Sequence, residues 1–138
     1  MEDQHSIDVV AVYVTADPVG DVDVWAQVNY GPPYWVFVVL NNGESPTDRG
    51  VLRYRCYAKD LNVLADGEAN TRFSLDPKER ESVRVESPYI NVTHTIRFRE
   101  FEMKGSKPIL IDRWYSVQPS DGSSGDTSPK FSQIESPL

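Results

Sequence analysis

Cysteine is nearly absent, Cys56 being the one such residue in 138. That excludes an intrachain disulfide, a four-cysteine metal site and a CxxC redox pair. Histidine is almost as scarce, with His5 and His94 far apart in sequence. Positive charge is short as well: 14 Lys and Arg stand against 21 Asp and Glu, a net charge of −7. So acidic a chain is a poor generic ligand for nucleic acid or an anionic membrane, both of which reward clustered positive charge. No long apolar run exists; the longest, Tyr34 to Leu40, falls far short of the roughly 20 residues that a membrane-spanning helix needs. The N-terminal Met-Glu-Asp-Gln-His-Ser has neither the positive n-region nor the apolar h-region of a secretory signal. The expected setting is therefore the cytoplasm, or an extracellular one if the chain is a domain excised from a longer protein. A helical stripe is missing too.

What is present is alternation with a period of two, broken by turn residues about every ten positions, which is how a sandwich of short strands reads. Ile7 to Thr15 is β-branched and aromatic, and Ala-Asp-Pro-Val-Gly turns it. In Asp21 to Tyr30, Val22, Val24, Ala26 and Val28 share one face and Asp21, Asp23 and Gln27 the other, predicting a half-buried strand. Gly31-Pro32-Pro33 bends the chain, and Tyr34 to Leu40 follows as the most apolar and hence central strand, ended by Asn41-Asn42-Gly43. Val51 to Ala58 points Leu52, Tyr54, Cys56 and Ala58 inward, with Arg53, Arg55 and Tyr57 outward. Asp66-Gly67 reads as a turn, Thr71 to Leu75 as a short strand, Asp76 to Glu81 as a charged turn, and Ser82 to Glu86 as a strand with Val83 and Val85 inward. Thr95 to Met103 and Ile109 to Val117 flank the loop at Lys104 to Lys107, and Phe98 and Phe101 face the same core only if a bulge lies near Glu100. Residues 118–138 are rich in Ser, Pro and Gly and offer little to bury. The expected organisation is a flexible 1–6, a sandwich over 7–117 and a disordered acidic tail over 118–138.

Three segments carry a family likeness: Val36 to Asn42 (VFVVLNN), Arg55 to Asp60 (RCYAKD) and Phe73 to Val85 (FSLDPKERESVRV). With Ile96-Arg97-Phe98-Arg99 and Ile109 to Tyr115 they resemble, in order and spacing, the first of the two C-terminal β-barrels of the transglutaminase family. The shared pattern is a strand ending in Asn-Asn, an Arg near a Cys-x-Ala segment, a Gly-containing turn, and a Leu-x-Pro turn before a charged strand start. The resemblance implies an immunoglobulin-like antiparallel β-sandwich and does not imply catalysis. In that family the Cys-His-Asp constellation lies in a separate, larger α/β core that this chain is too short to contain. Tyr30-Gly31-Pro32-Pro33-Tyr34-Trp35-Val36-Phe37 also resembles the family's nucleophile motif, but Tyr34 stands where the Cys would be.

No other constellation points to chemistry. Cys56 shares a face with Leu52, Tyr54 and Ala58, so it reads as a core residue and not a nucleophile. Asp17, Asp21 and Asp23, and likewise Asp60, Asp66 and Glu68, match no defined calcium loop. No metal or cofactor is expected. Asn91-Val92-Thr93 is a glycosylation sequon that matters only in the secretory pathway, and Ser128-Pro129 and Ser136-Pro137 are short motifs without further context.

The aromatic residues Trp25, Tyr30, Tyr34, Trp35 and Tyr57 beside outward arginines carry the binding expectation. Trp25, Tyr34, Trp35, Arg53, Arg55 and Tyr57 are the candidate contact residues. Arg53, Arg55, Arg72, Arg84, Arg97 and Arg99 form either a basic stripe or cross-strand ion pairs. The expected function is a non-catalytic structural or interaction module that binds a protein partner through a sheet face or an exposed edge strand, with no nucleic-acid or membrane partner. Two alternatives stand beside it: a regulatory fragment or short isoform of a protein-glutamine gamma-glutamyltransferase whose core lies elsewhere, and an extracellular adhesion-type domain.

Overall fold

The computed structural model describes residues 6–15, 18–19, 29–30, 34–90, 92–118 and 130–138. Among the described residues ten strands run in order: β1 (Ile7–Thr15), β2 (Pro18–Val19), β3 (Asn29–Tyr30), β4 (Tyr34–Asn41), β5 (Gly50–Tyr57), β6 (Val63–Asn70), β7 (Arg80–Glu86), β8 (Thr95–Met103), β9 (Ile109–Gln118) and β10 (Lys130–Ile134). Two antiparallel sheets, β1-β4-β7 and β10-β9-β8-β5-β6, make the layers, and β2 pairs with β3. The chain changes sheet between β4 and β5, between β6 and β7, and again between β7 and β8. The result is an all-β antiparallel sandwich, consistent with an immunoglobulin-like layout.

The core follows from the alternation. Trp35, Phe37 and Val39 of β4 are fully buried and meet Leu52, Tyr54 and Cys56 of β5 and Ile96, Phe98 and Phe101 of β8. Phe37 stands edge-on to Phe98 at 4.8 Å and to Tyr54 at 5.1 Å, the geometry the ring quadrupoles favour. As its apolar sequence predicts, β4 is the central strand of its sheet. The bulge expected near Glu100 is also present: the register slips between Phe98 and Glu100 against β9, and between Arg53 and Tyr54 against β5, so both phenylalanines reach the core. The two sheets are tied by the Tyr115 hydroxyl, which donates to the Val9 carbonyl at 2.9 Å, and by the two-pronged grip of Arg113 on Asp8.

Three expectations are corrected. Asp66-Gly67 lies inside β6 and not at a turn, because Tyr54 rests on the glycine: a Cβ on Gly67 would overlap the Tyr54 ring. The reversal falls instead at Ala58–Asn62, closed by the Asn62 carbonyl and the Ala58 amide, with Leu61 at φ 69°. Thr71 to Leu75 is not a strand; only Leu75 makes an isolated bridge, to Thr47. Most importantly, the segment 118–138 is not disordered throughout, since Lys130–Ile134 pairs with β9. Its Phe131 is half-buried, with its ring edge-on to Trp35 at 5.7 Å, a contact invisible to composition. The strand expected over Asp21 to Tyr30 lies outside the described residues except for Asn29 and Tyr30.

Asn41 closes the corner after β4. It is fully buried, and its side-chain amide donates to the carbonyls of Ser45 and Leu75, both at 2.9 Å, while its side-chain oxygen accepts the Gly43 amide. A buried amide so fully bonded is structural.

Candidate functional site

The outer face of the larger sheet carries the arginines whose alternation points them away from the core. Arg53 on β5 sits among three carboxylates: Glu102 at 2.6 Å, Glu68 at 3.5 Å and Glu100 at 3.6 Å. Arg55 grips Asp66 on β6 with two bonds, of 2.6 and 3.3 Å, and Arg99 approaches the same carboxylate at 4.0 Å. Arg97 holds Asp112 at 2.9 Å and lies over the Trp114 ring at 5.2 Å. The Arg55 guanidinium holds the Asp66 carboxyl below the usual carboxylate range. Of the two outcomes the sequence allowed for these four arginines, cross-strand pairing is the one observed.

The three aromatic contact residues among the described residues, Tyr34, Trp35 and Tyr57, are not exposed. Trp35 is fully enclosed between Phe37 and Phe131, and its indole N–H has no partner among the described residues. Tyr57 keeps the register of Arg55 but is 2% exposed, because its ring stacks on Trp114 at 5.2 Å. Tyr34 is buried with the Arg84 guanidinium 5.0 Å from its ring centre. These three are therefore corrected from surface anchors to packing residues. Trp25 lies outside the described residues, as do the Asp17, Asp21 and Asp23 cluster, Asn91 and Ser128. Asp66 and Glu68 are engaged by arginines and Asp60 by the Asn62 amide, so these three carboxylates do not converge. Cys56 is fully buried, and burial pushes its thiol up to about 11, which keeps it protonated.

A different arrangement appears where the edges of the two sheets meet. On β7, an edge strand among the described residues, Arg80, Ser82 and Arg84 are exposed while Val83 is buried. The loop after β6 adds Arg72 and Phe73, the latter 66% exposed, and Asn70 ends β6 beside them. Together with Glu81 these residues line a groove of about 480 Å³. Its one carboxylate among the described residues is partly used: Glu81 accepts the Arg72 backbone N–H at 2.7 Å through one oxygen, and its second oxygen is buried without a partner among them. Among the described residues neither Arg72 nor Arg80 takes part in an ion pair.

Arg72 and Arg84 belong to the outward set read from sequence, but Arg80 and Phe73 do not. A charged turn over Asp76 to Glu81 leaves Arg80 out of the strand, and the alternation Arg80-Ser82-Arg84 around Glu81 and Val83 is the signal that extends the strand back to it. Phe73 had no such signal, because its exposure follows from Thr71–Leu75 running as a loop.

The chain matches no protein-family model, no curated protein and no solved structure in comparisons with all three.

Proposed function

We propose that this chain is a non-catalytic protein-interaction module that grips an extended, acidic segment of a protein partner in the groove between β6 and β7. The observation that carries the reading is the convergence of Arg72, Arg80 and Arg84 with exposed Phe73 on one edge groove in a chain of net charge −7. An edge strand supplies backbone donors and acceptors for an added strand, the arginines recognise carboxylates, and Phe73 offers an apolar anchor. Compared with Arg72 and Arg80, the arginines of the sheet face are less suited to the task, since each is already held by a carboxylate of its own sheet.

The test is fluorescence anisotropy with a labelled peptide of alternating Glu and Val, set against its Lys and Val counterpart. Binding of the acidic peptide, weakened by added salt and by R72E/R80E, is the expected result. Equal binding of both peptides, or binding indifferent to R72E/R80E, overturns the assignment of the groove. Amine incorporation into a glutamine substrate by this chain alone overturns the non-catalytic reading.

A further inference from the structure

The other end of the larger sheet carries a second strand-accepting edge, already filled. Without β10 the outermost strand there would be β9. The strand β10 lies against it in a defined register, Phe131 opposite Val117, Ser132 opposite Ser116 and Ile134 opposite Trp114. Its grip is narrow. Phe131 and Ile134 are half-buried, whereas Ser132, Gln133 and all of 135–138 are exposed. Within its sheet β10 is bonded to β9 alone among the described residues. The seat beneath it is the more complete part, with Phe131 edge-on to a fully buried Trp35.

The connection matters as much as the grip. Gln118 and Lys130 are register partners, one interstrand step of about 4.8 Å apart. Hairpins close such a gap with about 2–5 residues. Here residues 119–129 intervene, a length of chain whose extended reach is roughly 40 Å. That reach lets the same strand lie on the β9 edge of a neighbour without altering one contact of the seat. The segment known to fit this edge is residues 130–134 of this chain, so the partner that matches it residue for residue is a second copy.

We propose that β10 is exchanged reciprocally between two copies, each seating its Lys130–Ile134 on the other's β9 edge with Phe131 against the other's Trp35. The exchange is isologous and closes as a two-fold dimer. Closed monomer and exchanged dimer make the same strand contacts, so protein concentration decides between them, and weakening the seat changes the rate of exchange more than its equilibrium. This proposal is independent of the arginine groove, which lies at the opposite sheet edge.

Ser116 and Ser132 face each other across β9 and β10 and allow a direct test with the full chain carrying S116C/S132C. Isotopically heavy and light copies are mixed under reducing conditions, incubated from low to high concentration, oxidised and digested. Exchange predicts heavy–light disulfide-linked peptides, joining position 116 of one copy to position 132 of the other, that rise with concentration toward about half of the total, as random pairing of two copies requires. Adding F131A is expected to bring them up at least about tenfold faster, because the ring that seats the strand is gone. Cross-linked peptides of a single isotope type at every concentration overturn the proposal. If the disulfide does not form, sedimentation of the unsubstituted chain decides. A dimer abolished by S132P/Q133P, a pair in which one proline must remove a ladder bond, supports exchange. A monomer throughout, or a dimer indifferent to those prolines, overturns it.

Discussion

Two arginine-rich regions of this molecule differ in what surrounds the charge. On the face of the larger sheet, Arg53, Arg55, Arg97 and Arg99 lie across paired strands from Glu68, Glu100, Glu102, Asp66 and Asp112. At the β6–β7 edge, Arg72, Arg80 and Arg84 share a groove in which Glu81 is the one carboxylate among the described residues, and neither Arg72 nor Arg80 is in an ion pair among them. A strand in mid-sheet has a neighbour on each side from which an opposite charge can reach it, while an edge strand has a neighbour on one side only. The same residue type therefore serves cohesion in one place and lines an open groove in the other.

The substitution expected to act most strongly breaks both regions at once. Strand β6 supplies Asp66 and Glu68 to the face and Asn70 to the groove, and it lies flat against β5 because Gly67 leaves room for Tyr54. G67V drives a side chain into that buried ring, and overpacking of this kind costs about 1–3 kcal/mol. A loss of stability of that size in denaturant unfolding, with loss of acidic-peptide binding, is the expected outcome, and unchanged stability would contradict the close contact. Next in size, R72E/R80E is expected to weaken the acidic peptide at least about tenfold, equivalent to about 1.4 kcal/mol. Folding stability should hardly change, which a paired denaturation curve checks.

The reverse pattern belongs to the face. R53A leaves Glu68, Glu100 and Glu102 facing one another and is expected to cost about 1 kcal/mol of stability, with peptide binding intact. R80A should stay within about 0.5 kcal/mol of the unsubstituted chain. If the two substitutions were equal in stability and in binding, the distinction between face and edge would collapse.

The smallest effect is a dependence on pH. Because the Asp66 carboxyl titrates lower when folded than its ordinary 3.8, its pair with Arg55 stabilises the protein above that value and is lost as pH falls through the folded one. Urea midpoints of the unsubstituted chain and D66N should therefore differ near neutrality and converge in acid. Side chains as exposed as Asp66 are screened by solvent, so the difference should be small.

Particular residues show how far the sequence could be read. Phe98 and Phe101 announced their bulge, since two large apolar rings three apart on a strand cannot share a face otherwise. The run Tyr34 to Leu40 announced a central strand by having no polar face to expose. Asp66-Gly67 misled because glycine serves turns and close packing alike, and the ring that needs the space belongs to Tyr54 on another strand. Tyr57 misled because alternation reports the side of a sheet and not whether that side is covered, here by Trp114. Strand β10 was illegible since five residues with two apolar side chains acquire a strand only through a partner edge and a seat such as Trp35.

Of the groove, Arg72 and Arg84 were visible as outward cations, while Arg80 and Phe73 were not. Their meeting depends on β6 and β7 closing the same side of the sandwich from different sheets.

The all-β class, the positions of most inward side chains and the outward direction of the arginines follow from the order of amino acids alone. Period-two alternation is a local property, set by backbone geometry within each strand. Which arginines meet carboxylates, which aromatics are covered, and that Lys130–Ile134 becomes a strand were settled only when the sheets packed. Those outcomes depend on neighbours brought from distant parts of the chain, and no local pattern encodes which neighbours arrive.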